Sequence, residues 1–159
     1  MKPINSKAAE FFQACVNRIP ENETSCILDE NKPGSSIMAL HIENIGQNKY
    51  GDLYSFAHYY EQNGDMMRDP DIVMLRSANP DALTGKHQFF PISYRQDGLG
   101  MDREYVIFNE DGNGWKIAKK QQADLASFCG QWARNIADQQ HVERIDGGVM
   151  IFKAKTIAA

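Results

Sequence analysis

His58, Glu61, Asp65, Arg68, Asp69 and Asp71 fall within fourteen residues of one another, in the run HYYEQNGDMMRDPD. One imidazole, one guanidinium and four carboxylates at that density are the raw material of two chemistries. Asp65, Asp69 and Asp71 supply oxygen ligands of the kind that a hard cation such as Mg²⁺ or Ca²⁺ requires. With His58 as a base they would compose a small metal-dependent hydrolase, acting for example on phosphoesters. The glycine at the sixth position and the distant bidentate Glu of a helix-loop-helix calcium site are absent, so no metal is assigned.

The same residues also read as turn-makers. A two-residue hairpin turn needs positive φ at both central positions, and Asn63-Gly64 tolerates that best. A tight turn there sets Tyr60 opposite Met67, Tyr59 opposite Arg68 and His58 opposite Asp69. Asp69-Pro70 then disturbs the second strand, because proline removes one ladder donor. A wider loop from Glu61 to Pro70 fits the sequence equally. His58, in an aromatic strand beside Tyr59 and Tyr60, suits either a hydrogen-bonded structural role or a catalytic base. Elsewhere there is no Gly-x-Ser-x-Gly nucleophile elbow and no Gly-x4-Gly-Lys-Ser phosphate loop, and DGNGWK follows a strand as a hairpin turn would. No cofactor is expected.

Elements able to position these groups follow from periodicity. Ala8, Phe11, Phe12, Cys15, Val16 and Ile19 recur at helical spacing from an N-cap at Ser6 to Pro20. Glu21 to Ser35, with Pro33-Gly34, predicts a surface connection holding at most a short strand at Cys26 to Leu28. SSIMALHIENI, DLYSFAHYYEQ, DIVMLRS, HQFFPISYRQ and REYVIF read as five strands. The turns Asn63-Gly64, Asn79-Pro80 and Asp97-Gly98 part the last four, and such short loops mean an antiparallel meander. Leu125, Phe128, Cys129, Trp132 and Ile136 then form a helical stripe beside the smaller Ala126, Gly130, Ala133 and Ala137. Leu125, Phe128 and Trp132 are expected buried against the sheet. Asp146-Gly147-Gly148 breaks the chain, VMIFK adds a possible last strand, and the Ala-rich end is expected to fray. The expected fold is α+β: an antiparallel meander of about five strands with an N-terminal and a C-terminal helix packed on it, all 159 residues forming a single domain.

Composition narrows the function classes. A hydrophobic share of 42% and a charged share of 24% are ordinary for a globular chain. No apolar run approaches a membrane span, and Glu10, Gln13 and Asn17 interrupt any secretory leader, so the expected compartment is the cytoplasm. Cys15, Cys26 and Cys129 are too few and too scattered for a disulfide framework or a zinc site, and are read as reduced thiols, with Cys15 and Cys129 on buried helix faces. A net charge of −4 argues against direct nucleic-acid binding, which needs clustered Lys and Arg. The one basic concentration, Lys116, Lys119 and Lys120, reads as a solvated face.

HYYEQNGDMMRDPD resembles the signature of a family of small uncharacterised bacterial domains carried mostly by plasmids, integrative elements and phages. That pattern runs His-Tyr-x-Glu-Gln-Asn-Gly-Asp-x-Met-Arg-Asp-Pro-Glu, with Asp71 here in the final position. FFPISYRQDGLG is similar to the family's second segment through Phe90, Pro91, Tyr94, Arg95 and Asp97, although Gln96 replaces the usual Asn and the following Glu-Gln pair is missing. Trp132 and Asn135 of GQWARN fit its closing helix. The likeness covers about residues 54–139 and carries no assigned activity. It implies one shared polar patch of His58, Glu61, Asn63, Asp65, Arg68, Asp69, Asp71, Tyr94, Arg95 and Asp97. Arg95, between aromatic residues, is expected to be structural glue, and Arg68, at the hairpin loop, to meet a ligand. The functional expectation is a mobile-element accessory protein that binds a protein partner, the alternative being the hydrolase centred on His58, Asp65, Asp69 and Asp71.

Overall fold

A computed structural model describes residues 1–30 and 36–154. The turn expected at Pro33-Gly34 and the frayed Ala-rich end lie outside the described residues. Helix α1 (Ser6–Val16) is followed by strands β1 (Ser25–Leu28), β2 (Leu40–Asn48), β3 (Gly51–Gln62), β4 (Asp65–Ser77), β5 (Phe89–Gln96) and β6 (Met101–Glu104). These six strands form one sheet in sequence order, every neighbour antiparallel. The α+β meander is as expected, with β1 joining as a sixth strand. Two separate hairpins complete the described chain: β7 (Val106–Phe108) with β8 (Trp115–Ile117), and, after helix α2 (Lys119–Gln139), β9 (Val142–Asp146) with β10 (Val149–Phe152).

Local chemistry explains several boundaries. Asn5, not Ser6, caps α1, its side-chain oxygen accepting from the Ala8 N–H at 2.8 Å. The helix stops at Val16, short of Pro20, because the Arg18 and Ile19 amides reach back only three residues, to Cys15 and Val16. The apolar beat of SSIMALHIENI begins before the strand does, since pairing with β1 starts at Leu40. REYVIF is not one strand. At Tyr105 the chain leaves the β5 ladder, its N–H bonding to Ile92 O and its carbonyl accepting from Ala118, so Val106–Phe108 folds back over the sheet.

Register sorts the two sheet faces. Cys26, Ile42, Phe56, Ile72, Tyr94 and Arg103 are successive partners across the six strands, on the face that carries the helices. Phe12, Phe56, Phe89 and Trp132 form an aromatic cluster at its centre, Phe56 edge-on to Phe12 and Phe89, and Trp132 tilted against Phe12. Gly130 lets α1 approach α2: a Cβ there would lie 2.4 Å from Asn5 Nδ2. Part of the opposite face is covered by the β7–β8 hairpin, where Val73, Leu75, Ile92 and Val106 make a second small core. Cys15 and Cys129 are buried and free, and burial pushes both thiols up.

Candidate functional site

The β3–β4 hairpin turns at Asn63-Gly64, with φ of 53° and 83°, and pairs Tyr60 with Met67 and Tyr59 with Arg68 as the turn chemistry dictates. His58 does not face Asp69. Pairing skips from Ala57↔Asp71 to Tyr59↔Arg68, a bulge at the Asp69-Pro70 step that leaves His58 without a register partner. His58 is instead buried against α2. Its ring stands edge-on to Trp132 at 5.4 Å, and Nδ1 lies 2.9 Å from the Ala39 carbonyl. Burial lowers its pKa, partly countered by that hydrogen bond and by Asp69, and it has the setting of a core histidine.

The ten candidate residues divide over two faces and the hairpin tip. Glu61, Asn63 and Asp65 are exposed at the tip. Arg68 folds onto the 3-10 turn Asp97–Leu99: its Nε and terminal nitrogen donate to Asp97 at 2.8–3.2 Å, and its backbone N–H donates to Oδ2 at 2.8 Å. That fork, through the Arg68 side chain and then its amide, holds the Asp97 carboxyl down at about 2. Arg68 is thereby anchored to Asp97, with its side chain still 36% exposed. Asp69 accepts from Gln96 Nε2 at 2.9 Å, and Gln96 Oε1 accepts from the Tyr94 hydroxyl at 2.5 Å. Asp71 accepts from Ser55 Oγ at 2.7 Å. Arg95 pairs across the sheet with Asp102 at 3.0 Å and more loosely with Glu104 at 3.7 Å, not with Asp65, Asp69 or Asp97.

Sequence alone did not reveal the polar face that these pairs create. Ile27, His41, Ala57, Asp71, Arg95 and Asp102 run as one row of register partners across all six strands, and Ser25, Glu43, Ser55, Val73, Ser93 and Glu104 as the next. Arg95 is the one cation of these two rows and pairs with Asp102 and Glu104, while Asp71 is held by Ser55. Asp71 is on this face, His58 is buried behind the sheet and Asp65 is at the tip, so the hydrolytic set does not converge on one point. Among the described residues no group of three or more His, Cys, Asp or Glu is placed to hold a metal ion.

A second arrangement lies where α2 crosses the β5–β6 end of the sheet. Tyr94, Met101, Tyr105, Gln121, Asp124, Leu125 and Phe128 line a shallow hollow of about 270 Å³. Phe128 was expected in the core and is not there: it is 43% exposed, whereas Leu125 and Trp132 of the same stripe are 6% exposed. The ring stacks on Trp132 at 6.3 Å and meets Tyr94 edge-on at 6.2 Å, and the sheet beneath it ends at the short β6. Burial, then the Asp69 charge, raises the Tyr94 phenol, which keeps it neutral. The five-residue stripe gave no sign of this, because the reach of the sheet, which ends at the four-residue β6, decides how much of the stripe is covered.

Searches of curated proteins and of solved structures return no match. Residues 12–142, which include both segments described above, match the family model described as Domain of unknown function (DUF6908), and the chain belongs to that family.

Proposed function

We propose that this chain is a non-enzymatic accessory protein of a mobile genetic element, a single cytoplasmic domain that acts by holding a protein partner. The mobile setting rests on the likeness of HYYEQNGDMMRDPD and FFPISYRQDGLG to domains carried by plasmids and phages. Among the described residues no helix is long and apolar enough to cross a membrane. The net charge of −4 favours a polypeptide partner over nucleic-acid phosphate.

The observation that carries the binding role is Phe128. Partner surfaces concentrate their affinity in aromatic anchors seated in small hollows with polar rims. Phe128 over the Tyr94–Met101–Leu125 floor, with Gln121 and Asp124 beside it, has that composition. The polar groups of the signature, by contrast, have partners within the chain: Arg68 has Asp97, Asp69 has Gln96, Asp71 has Ser55 and Arg95 has Asp102. Affinity capture from the native host tests the reading with wild type, Phe128→Ser and, as an exposed apolar control away from the hollow, Leu83→Ser. One partner recovered by wild type and Leu83→Ser but lost by Phe128→Ser is expected. Equal recovery by all three would remove the hollow from the binding role.

A further inference from the structure

The Phe128 hollow has an electrostatic character as well as an apolar one. Three of its seven lining residues are aromatic, Tyr94, Tyr105 and Phe128, and the only charged one is the exposed carboxylate of Asp124. Asp124 makes no ion pair with any described residue, whereas Asp52, Asp97 and Asp102 are each taken up by an arginine. The cation–ring contacts among the described residues use Phe152, Tyr50 and Tyr54, so the rings of the hollow are left without a cation. Asp69, held by Gln96 next to Tyr94, adds negative potential from the sheet side.

Aromatic faces carry a negative quadrupole and attract cations, most often a guanidinium, which is planar, weakly hydrated and able to stack while it forks onto a carboxylate. Arg103, the register partner of Tyr94 on the same face, is exposed and makes no ion pair or ring contact among the described residues. Paired in register with a lining residue, it is a like charge to an incoming cation.

We infer that the hollow receives an arginine side chain of the partner polypeptide, its guanidinium stacked on the Phe128 ring beside the edge-on Tyr94 and paired with Asp124. This rests on the partner-binding reading and names the chemistry that the partner must present. The contact is charge-complementary on both counts, carboxylate and ring, and the shallow opening suits a flat group at the end of a flexible stem rather than a bulky apolar knob.

The test is NMR titration of isotope-labelled protein with N-acetyl-arginine methylamide and, separately, with its uncharged analogue of the same shape, N-acetyl-citrulline methylamide. Saturable shifts at Tyr94, Tyr105, Leu125 and Phe128 with the arginine compound alone are expected. Asp124→Asn, an exposed change that leaves the fold intact, should weaken them about fivefold, and Arg103→Ala should strengthen them. Equal shifts with citrulline, or shifts centred elsewhere, would overturn the assignment. Loss of partner recovery by Phe128→Ser with no arginine-specific shift would overturn this inference alone and leave the partner-binding surface standing.

Discussion

Trp132 and Phe128 stack one helical turn apart, yet replacing each with alanine should have very different costs. Trp132 is 6% exposed and packs against Phe12 at 5.9 Å and His58 at 5.4 Å, so Trp132→Ala opens a cavity that its neighbours cannot close. Buried aromatic deletions of that kind cost ~3–5 kcal/mol. At roughly 2–4 °C per kcal/mol for a chain of this size, Tm should fall by about 6–20 °C. Phe128 is 43% exposed, and water fills the space it leaves, so only the transfer of a little over half a ring and part of one stacking contact are lost. That amounts to ~1–2 kcal/mol, or about 2–8 °C. Differential scanning calorimetry of the two variants in one buffer reads both shifts. A Phe128→Ala loss as large as that of Trp132→Ala would show that Phe128 is core and would refute the reasoning that sets it aside for a partner.

Three further expectations follow from the site. Arg68→Ala and Asp97→Asn should each lower Tm, and the double variant should be less destabilised than the sum, because each single change already breaks the fork; strict additivity in a double-mutant cycle would show that the fork is uncoupled from stability. Burial lowers the His58 pKa below its ordinary 6.5, so below pH 6.5 the unfolded chain binds the extra proton first; stability is full above that pH and falls as pH drops toward the depressed folded value. His58→Gln should flatten part of that limb, leaving the share of His41, which burial also lowers, and an unchanged pH profile would refute the assignment. A melting series with Mg²⁺, Mn²⁺ and Ca²⁺ should show no ion-specific rise, whereas bound metal at a hundredfold excess over Kd would add about 2.7 kcal/mol; a rise with Mn²⁺ abolished by Asp65→Ala or Asp69→Ala would revive the hydrolase.

What was legible in the sequence is what short-range chemistry determines. Asn63-Gly64 set the hairpin register to Tyr59↔Arg68 because few other pairs accept two positive φ values, and helical spacing placed Cys129, Trp132 and Ile136 on the core side of α2. Pro70 announced a disturbance of β4, but not that the skipped partner would be His58. Pairings between distant segments were not legible. Arg68 and Asp97 are 29 residues apart, and nothing in either segment selects that partner over Asp65 or Asp69. Gln122, polar in sequence, is 1% exposed, because its amide bonds both backbone groups of Lys2 and the Pro91 carbonyl, a bridge that only the assembled fold creates. Phe128 misled for a related reason: periodicity says which side of a helix is apolar, while the extent of the sheet decides how much of that side is covered.

The central claim, that a partner docks on the Phe128 hollow and not on the polar face of the sheet, is tested most directly by site-specific photocrosslinking in the native host. A photoreactive phenylalanine analogue is placed at position 128 in one sample and at Asp102, an exposed position on the opposite face, in another. Crosslinking of one defined protein from position 128 and none of it from position 102 is the expected result. Crosslinking of that protein from position 102, with position 128 silent, would contradict the account.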